Sequence, residues 1–331
     1  MTDLRTSFFV TLFLALTLIF TACAQETVTH EELPAIEVDR ELLLNDIETL
    51  ASDEFGGRYP DTEGSVMVQD LIIERLESLG IQPKGEDFRH LFDHTNPRTG
   101  KEYKDAVNII GWIEGTENPD QFIAVTAHYD HLGIQNGDIY NGADDNASGT
   151  GGLLATAAWF AEHPPKNTIL LIALDAEEQG LGGARHFVAN PVVPLESIIM
   201  NINMDMISLN HDNEIYAVGT YHYPFLRPMI EKATVGAPIT VLFGHDTPDL
   251  PPGQDWTYSS DHGAFHEKGI PFVYFGVADH PYYHTPDDIF ENITPEFYYN
   301  AVRTIIHVIR HFDHNLDTVI ENRELETSEV E

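Results

Sequence analysis

The sequence predicts an α/β fold: a three-layer αβα sandwich around a mixed, largely parallel central sheet. Apolar runs typical of buried strands alternate with segments whose apolar residues recur at helical spacing. Short polar motifs follow directly after several of these runs. In open α/β sheets the reactive cleft lies beyond the carboxyl ends of the strands, so we expect the polar motifs to converge there.

Two helices are predicted ahead of the sheet, in segments that begin at Glu41 and Glu63. The second ends at Gly80, a residue type at which helices commonly stop. Two neighbouring strands should follow, and then a helix closed by Pro164 and Pro165. The two strands are DAVNIIGWIEG and QFIAVTA, and the helix covers ASGTGGLLATAAWFAEH.

Strands and helices alternate over the rest of the chain, which predicts a sheet covered by helices on both faces. The last helix, EFYYNAVRTIIHVIRHF, should pack its Tyr, Val and Ile residues inward. The other predicted strands are NTILLIAL, SIIMNINM, EIYAVGT, PITVLFG and IPFVYFG, and helices are expected around Gly183–Ala189, Pro224–Ala233 and His262–Lys268.

Composition indicates a folded and strongly acidic protein. The 331 residues are 42% hydrophobic, enough to bury one sizeable core, and the formal net charge is -37. Such a charge argues against nucleic acid or an anionic membrane surface as the partner. We expect one domain over residues 40–315 and a disordered acidic tail over residues 316–331.

The N-terminus has the pattern of a secretion signal. Arg5 precedes an apolar run from Phe8 to Phe20, which is too short for a lasting membrane span. The sequence FTAC then places Cys23, the only cysteine, where the lipobox of bacterial lipoproteins has its lipidated residue. We expect a signal peptide over residues 1–22 and a tether over 23–39. The protein would then be a lipoprotein of the periplasm or outer membrane, or otherwise secreted, with any membrane attachment through that lipid anchor.

Three motifs in the middle of the chain carry imidazole and carboxylate groups. They are HYD from His128, GADDN from Gly142 and DAEE from Asp175. Asp205 follows a later strand, and YHTPDD from Tyr283 follows another. Zinc prefers imidazole nitrogen and carboxylate oxygen where no thiolates are offered.

Five candidate ligands are too many for one tetrahedral zinc ion that must also bind water. The five are His128, Asp144, Glu178, Asp205 and His284. Two ions bridged by one carboxylate, about 3.5–4 Å apart and sharing a water or hydroxide, accommodate them better.

The order and placement of these motifs resemble those of the co-catalytic dizinc aminopeptidases, a family related to glutamate carboxypeptidases and glutaminyl cyclases. The resemblance extends from about Leu50 to His311. It implies a zinc exopeptidase fold in which Asp144 bridges two Zn²⁺ ions, one also held by His128 and Asp205, the other by Glu178 and His284. It further implies a cis peptide bond between Asp144 and Asp145.

The remaining roles belong to residues beside the ligands. Glu177 is the expected general base, because neighbouring side chains on an extended backbone point apart and only Glu178 needs to bind metal. Asp130 is the expected acceptor that orients the His128 imidazole. The resemblance also implies that the Tyr283 hydroxyl stabilises the oxyanion.

The resulting hypothesis is a metallo-aminopeptidase that removes N-terminal residues from peptides. Three alternatives remain open: a single-zinc glutaminyl cyclase, a carboxypeptidase of the same family, and a non-catalytic binding domain. A carboxypeptidase would need basic residues to hold a free carboxylate, and only Arg185 and a few others lie near the motifs. We do not expect His131, His262 or His266 to be ligands, and Ser260 or Asp261 should cap a helix.

Overall fold

The central sheet of the computed structural model is mixed, and its interior strands run parallel. The structure describes residues 35–251 and 253–330. Within them nine strands form the sheet, in the order β1-β3-β7-β4-β8-β11-β9-β10 with β2 paired to β3. The strands are β1 Gln82–Pro83, β2 Arg89–Thr95, β3 Glu102–Ile113, β4 Asn118–His128, β5 Gly133–Gln135, β6 Asp138–Tyr140, β7 Asn167–Leu174, β8 Ile198–Met204, β9 Glu214–Val218, β10 Thr240–Phe243 and β11 Phe272–Gly276. β5 and β6 form a separate hairpin.

The predicted helices are present close to their expected bounds. Asp39 begins the first by accepting a hydrogen bond from Leu42 N, and Thr62 caps the second through Ser65 N. Pro295 starts the long seventh helix, a position where its missing N–H costs nothing. The helices are α1 Arg40–Leu50, α2 Glu63–Ser78, α3 Gly149–Glu162, α4 Gly182–Ala189, α5 Leu226–Ala233, α6 His262–His266, α7 Pro295–His314 and α8 Leu316–Val330.

Two apolar cores lie on opposite faces of the sheet, which confirms the three-layer prediction. All eight residues of β7 are buried. Ile169 and Leu171 belong to the core that includes α1, α2, α3 and α7, while Leu170 and Ile172 pack with α4 and α6. This division follows from the two-residue period of a strand, which sends successive side chains to opposite faces.

The C-terminal segment departs from the prediction. The residues expected to form a disordered tail form helix α8 instead. Leu316 and Val319 are buried, and Arg323 donates a hydrogen bond to Ile198 O at the start of β8. Two apolar anchors and one long basic side chain therefore hold an otherwise acidic segment against the domain.

The compact unit begins at Ile36, four residues before the predicted domain boundary. Ile36 is buried, and its carbonyl accepts a hydrogen bond from Arg303. The predicted signal peptide, Cys23 and most of the tether lie outside the described residues. None of the helices in the described part of the chain combines the length and apolar character that membrane crossing requires.

Candidate metal centre

Imidazole and carboxylate groups converge at the carboxyl ends of the parallel strands, as the motif positions predicted. His128 is the last residue of β4, and Asp205 directly follows β8. Glu177 and Glu178 occupy the turn after β7, and the loop after β11 brings in His284.

The first group of potential ligands consists of His128, Asp145 and Asp205. His128 Nε2 lies 3.4 Å from Asp145 Oδ1 and 3.3 Å from Asp205 Oδ1. Its other ring nitrogen, Nδ1, is 3.1 Å from the backbone carbonyl of Asp130. That contact fixes the ring so that Nε2 points at the two carboxylates.

A second group shares Asp145 with the first. His284 Nε2 lies 3.0 Å from Asp145 Oδ2 and 3.3 Å from Glu178 Oε1. His131 also faces this group, with Nδ1 2.9 Å from Glu178 Oε1. Asp145 thus presents one oxygen to each group, which is the arrangement expected of a bridging carboxylate.

The aspartate that faces both groups is therefore Asp145, and the prediction of Asp144 was wrong by one residue. The Asp144 carboxylate points away from both groups, accepting from Ser208 N and Oγ at 2.6 and 2.7 Å and from His280 Nε2 at 3.0 Å. The cis peptide bond joins Asp145 to Asn146 rather than Asp144 to Asp145. Adjacent side chains on this turn point in opposite directions, and the motif GADDN alone does not show which carboxylate faces inward.

Two further expectations also differ from the structure. His131 was not expected to be a ligand, yet its Nδ1 lies 2.9 Å from Glu178 Oε1, within a group that could hold a metal ion. No side-chain hydrogen bond caps α6 at Asp261, and Ser260 Oγ instead accepts from Asn203 Nδ2. Burial raises the pKa of Asp261 to about 8, so this carboxyl is an unpredicted ionisable group beside the site.

Asp130 supports the turn that carries the two glutamates. Its carboxylate accepts hydrogen bonds from Glu177 N at 3.0 Å and Glu178 N at 3.4 Å. The same carboxylate is 3.6 Å from His128 Nδ1, farther than its own backbone carbonyl. Asp130 therefore contributes to the orientation of His128 mainly through its main chain.

A cavity of about 190 Å³ opens onto both groups. Glu177 and Tyr283 line it together with Asp145, Glu178, Asp205 and His284. The Tyr283 ring stacks on His284 with centroids 3.9 Å apart. Both predicted catalytic side chains thus face the same space as Glu178, Asp205 and His284, three of the five predicted ligands.

Charges inside the site shift several pKa values. Burial raises the pKa of Glu177 well above its usual value, opposed by the nearby His128 and reinforced by Glu178. Burial alone would lower the pKa of His284, but its contacts with the Asp145 and Glu178 carboxylates raise it to about 10. The carboxylates clustered at this end of the sheet therefore strongly stabilise positive charge there.

The donor set fits zinc. Five buried atoms of His128, His131, Glu178 and Asp205 lack a hydrogen-bond partner among the described residues: His128 Nε2, His131 Nδ1 and Nε2, Glu178 Oε1 and Asp205 Oδ1. Unpaired polar atoms are costly to bury, and two metal ions would satisfy all of them except His131 Nε2. Donors placed about 2.0–2.2 Å from a tetrahedral zinc ion are about 3.3–3.6 Å apart, close to the separations found here.

Three of the ten non-glycine residues that have positive φ angles in the described part of the chain lie at the turns that carry these side chains. Ala176, Met206 and His284 adopt positive φ angles of 57°, 58° and 54°. Residues other than glycine rarely occupy this region, and such residues tend to cluster at functional sites. Each of the three lies within or directly beside a motif residue.

Arg58 and Asp288 support the site, and sequence reasoning missed both. The buried Arg58 guanidinium donates to the carbonyls of Tyr129, Asn141 and Gly142. The Asp288 carboxylate accepts from the backbone N–H groups of Asp144 and Asp145 at 2.9 and 3.0 Å. The position of Asp288 within the motif YHTPDD could have indicated its role, whereas nothing in the sequence around Arg58 distinguishes that residue.

A family model, Peptidase family M28, matches residues 108–309. The chain belongs to peptidase family M28. The matched region contains every residue of the two groups, together with Glu177 and Tyr283. The sequence is 34% identical over 206 residues to aminopeptidase YwaD of Bacillus subtilis, an alignment that covers 57% of this chain but 41% of that protein.

Solved structures share this fold over most of the chain. A leucine aminopeptidase precursor from Bacteroides thetaiotaomicron superposes with a TM-score of 0.68 at 20% identity, covering 84% of this chain and 99% of that one. A glutaminyl cyclase from the same organism, bound to N-acetylhistamine, gives 0.68 at 21% identity with the same coverage. Overall fold thus does not distinguish the two activities.

Proposed function

We propose that this M28 protein is a zinc-dependent aminopeptidase that uses two zinc ions. The arrangement of Asp145 between two groups of ligands is the observation that supports it most directly. His128 and Asp205 would hold one ion with Asp145, and Glu178 and His284 the other. A single-zinc glutaminyl cyclase has no use for the second group, so metal analysis that finds one ion per chain would favour that alternative.

Bound zinc would supply an activated water molecule and polarise the scissile carbonyl. Glu177 lies beside both groups, and its raised pKa suits a carboxyl that accepts a proton from that water and passes it to the leaving amine. The Tyr283 hydroxyl faces the same cavity and would donate a hydrogen bond to the oxyanion.

The charge of the cavity favours a substrate with a free N-terminus. Its described lining includes five carboxylates and no lysine or arginine. A protonated α-amino group is attracted to such a wall, whereas the carboxylate of a C-terminal residue would be repelled. This contrast favours an aminopeptidase over a carboxypeptidase.

The size of the cavity is consistent with the removal of single residues. Besides the acidic groups it is lined by Met206, Trp256, Tyr274 and Val277. Its volume of about 190 Å³ corresponds to one amino-acid side chain rather than an extended peptide. Peptides are therefore the proposed substrates, with the first side chain bound against this mixed wall.

A screen of aminoacyl-anilides with free and acetylated amino groups tests the proposal. The expected result is cleavage of the free-amine compounds, loss of cleavage on chelation, and recovery with zinc. Cleavage restricted to N-blocked compounds would refute the aminopeptidase assignment. Cyclisation of N-terminal glutamine without anilide cleavage would instead identify a glutaminyl cyclase.

We also propose that the protein acts outside the cytoplasm, attached through a lipidated Cys23. The apolar run from Phe8 to Phe20 and the FTAC sequence support this location. Labelling with a radioactive fatty acid should mark the wild type but not Cys23→Ser. Equal labelling of both proteins, or of neither, would remove the lipid anchor from the proposal.

A further inference from the structure

The proposed zinc ligands and catalytic residues do not include the buried imidazole of His131. It follows the HYD motif, and its side chain has no exposed surface. Nε2 makes no hydrogen bond to any residue that the structure describes, and Nδ1 contacts Glu178 Oε1 at 2.9 Å without the geometry of a hydrogen bond. A polar ring in that state destabilises the fold unless another group satisfies it.

The ring points at the second ligand group. His131 Nδ1 is 2.9 Å from Glu178 Oε1 and 3.9 Å from Asp145 Oδ2. His284 Nε2 faces the same two oxygens at 3.3 and 3.0 Å. The two imidazoles thus contact the same pair of carboxylate oxygens, and the ligand atoms of His131, Asp145 and Glu178 all lie within 4.8 Å of one another.

Packing fixes this orientation. Gly142 lies against the ring, and a Cβ atom at that position would be 2.5 Å from His131 Cδ2. The same glycine has a φ of 56°, a region that suits glycine. The absence of a side chain at residue 142 therefore makes room for the imidazole close to Glu178.

We propose that His131 is a direct zinc ligand, bound through Nδ1, and that it completes a closed four-residue site with Asp145, Glu178 and His284. This inference rests on the proposed dizinc function. The four histidine–carboxylate separations, from 2.9 to 3.9 Å, bracket the edge length of about 3.3–3.6 Å in a tetrahedral zinc site.

The two metal sites would then be unequal. The His128 group offers three protein ligands, the number that leaves a coordination position for water or substrate in catalytic zinc sites. The His131 group also offers three, and His284 would raise its number to four, as in closed structural sites. The second ion would accordingly bind more tightly, and substrate water would be held mainly on the His128 side.

Nuclear magnetic resonance of the ¹¹³Cd-loaded protein with ¹⁵N-labelled histidine tests the ligand directly. The expected spectrum shows three imidazoles coupled to cadmium, with His131 coupled through Nδ1. Two bound ions with only His128 and His284 coupled would overturn this inference and leave His131 as a residue that positions Glu178. No bound metal at all would refute the proposed function as well.

A variant adds a second measurement. His131→Gln should weaken binding of one zinc ion by more than about 100-fold, beyond the about 10–100-fold expected when only a supporting contact is lost. His262→Gln is the matched control, because His262 is equally buried and lies outside both groups. Equal zinc affinity in the two variants would contradict the role of His131 as a ligand.

Discussion

Arg58 is expected to be essential for the stability of the loops that form the metal centre. Its guanidinium makes four hydrogen bonds: Nε to Tyr129 O at 2.8 Å, Nη1 to Leu50 O at 2.7 Å and Asn141 O at 2.5 Å, and Nη2 to Gly142 O at 2.8 Å. These carbonyls belong to the end of α1 and to the loops before Asp130 and before Asp145. One buried side chain therefore joins three segments that are distant in sequence.

The substitution Arg58→Lys preserves the positive charge but removes the planar guanidinium group with its several N–H donors. A lysine donates from a single nitrogen and cannot span four carbonyls, so at least two should lose their partner. Each hydrogen bond to a charged group contributes about 1.5–3 kcal/mol, so the free energy of unfolding should fall by about 3–6 kcal/mol. At about 2 °C per kcal/mol for a domain of this size, the Tm should fall by about 6–12 °C.

Differential scanning calorimetry of the metal-free protein measures this change without a contribution from zinc binding. The matched control is Arg185→Lys, because Arg185 is half exposed and lies 3.7 Å from Glu267. Such an exposed ion pair contributes less than about 1 kcal/mol. If both variants melt within about 2 °C of the wild type, the hydrogen bonds of the buried Arg58 guanidinium do not stabilise the loops.

Four further outcomes are expected. Asp145→Asn should lose zinc, measured by equilibrium dialysis, whereas Asp144→Asn should retain both ions; the reverse result would restore the original assignment of the bridge. Glu177→Gln should keep its zinc but lose about 10²–10⁴-fold in kcat, and undiminished turnover would eliminate it as the base. Tyr283→Phe should lower kcat by a factor that corresponds to about 2–4 kcal/mol, with KM little changed; an effect on KM alone would indicate a binding role. Because the pKa of His284 is raised to about 10 without metal, its contacts stabilise the metal-free chain below pH 6.5 and lose this effect as the pH rises through about 10. Zinc must displace the His284 proton, so its affinity should increase with pH over the same window, by up to about tenfold per unit; titration calorimetry that finds pH-independent binding would contradict this.

The sequence alone determined the layers of the fold and the end of the sheet at which the site lies. Runs such as NTILLIAL are apolar on both faces, which only a strand covered by helices on two sides allows. His128, Glu178, Asp205 and His284 could be named because each follows such a run. Helix α8 was not predicted, because its acidic composition conceals the apolar anchors at Leu316 and Val319.

Only the tertiary structure decided which of two adjacent aspartates faces inward, and that a third histidine faces the second ligand group. The motif GADDN lies on a turn without a regular period, so the direction of each side chain depends on contacts with distant residues. Ser208 and His280 hold the Asp144 carboxylate away from the ligand groups, while Asp288 binds the backbone of both aspartates. Those partners lie more than sixty residues away along the chain, and local sequence carries no information about their positions.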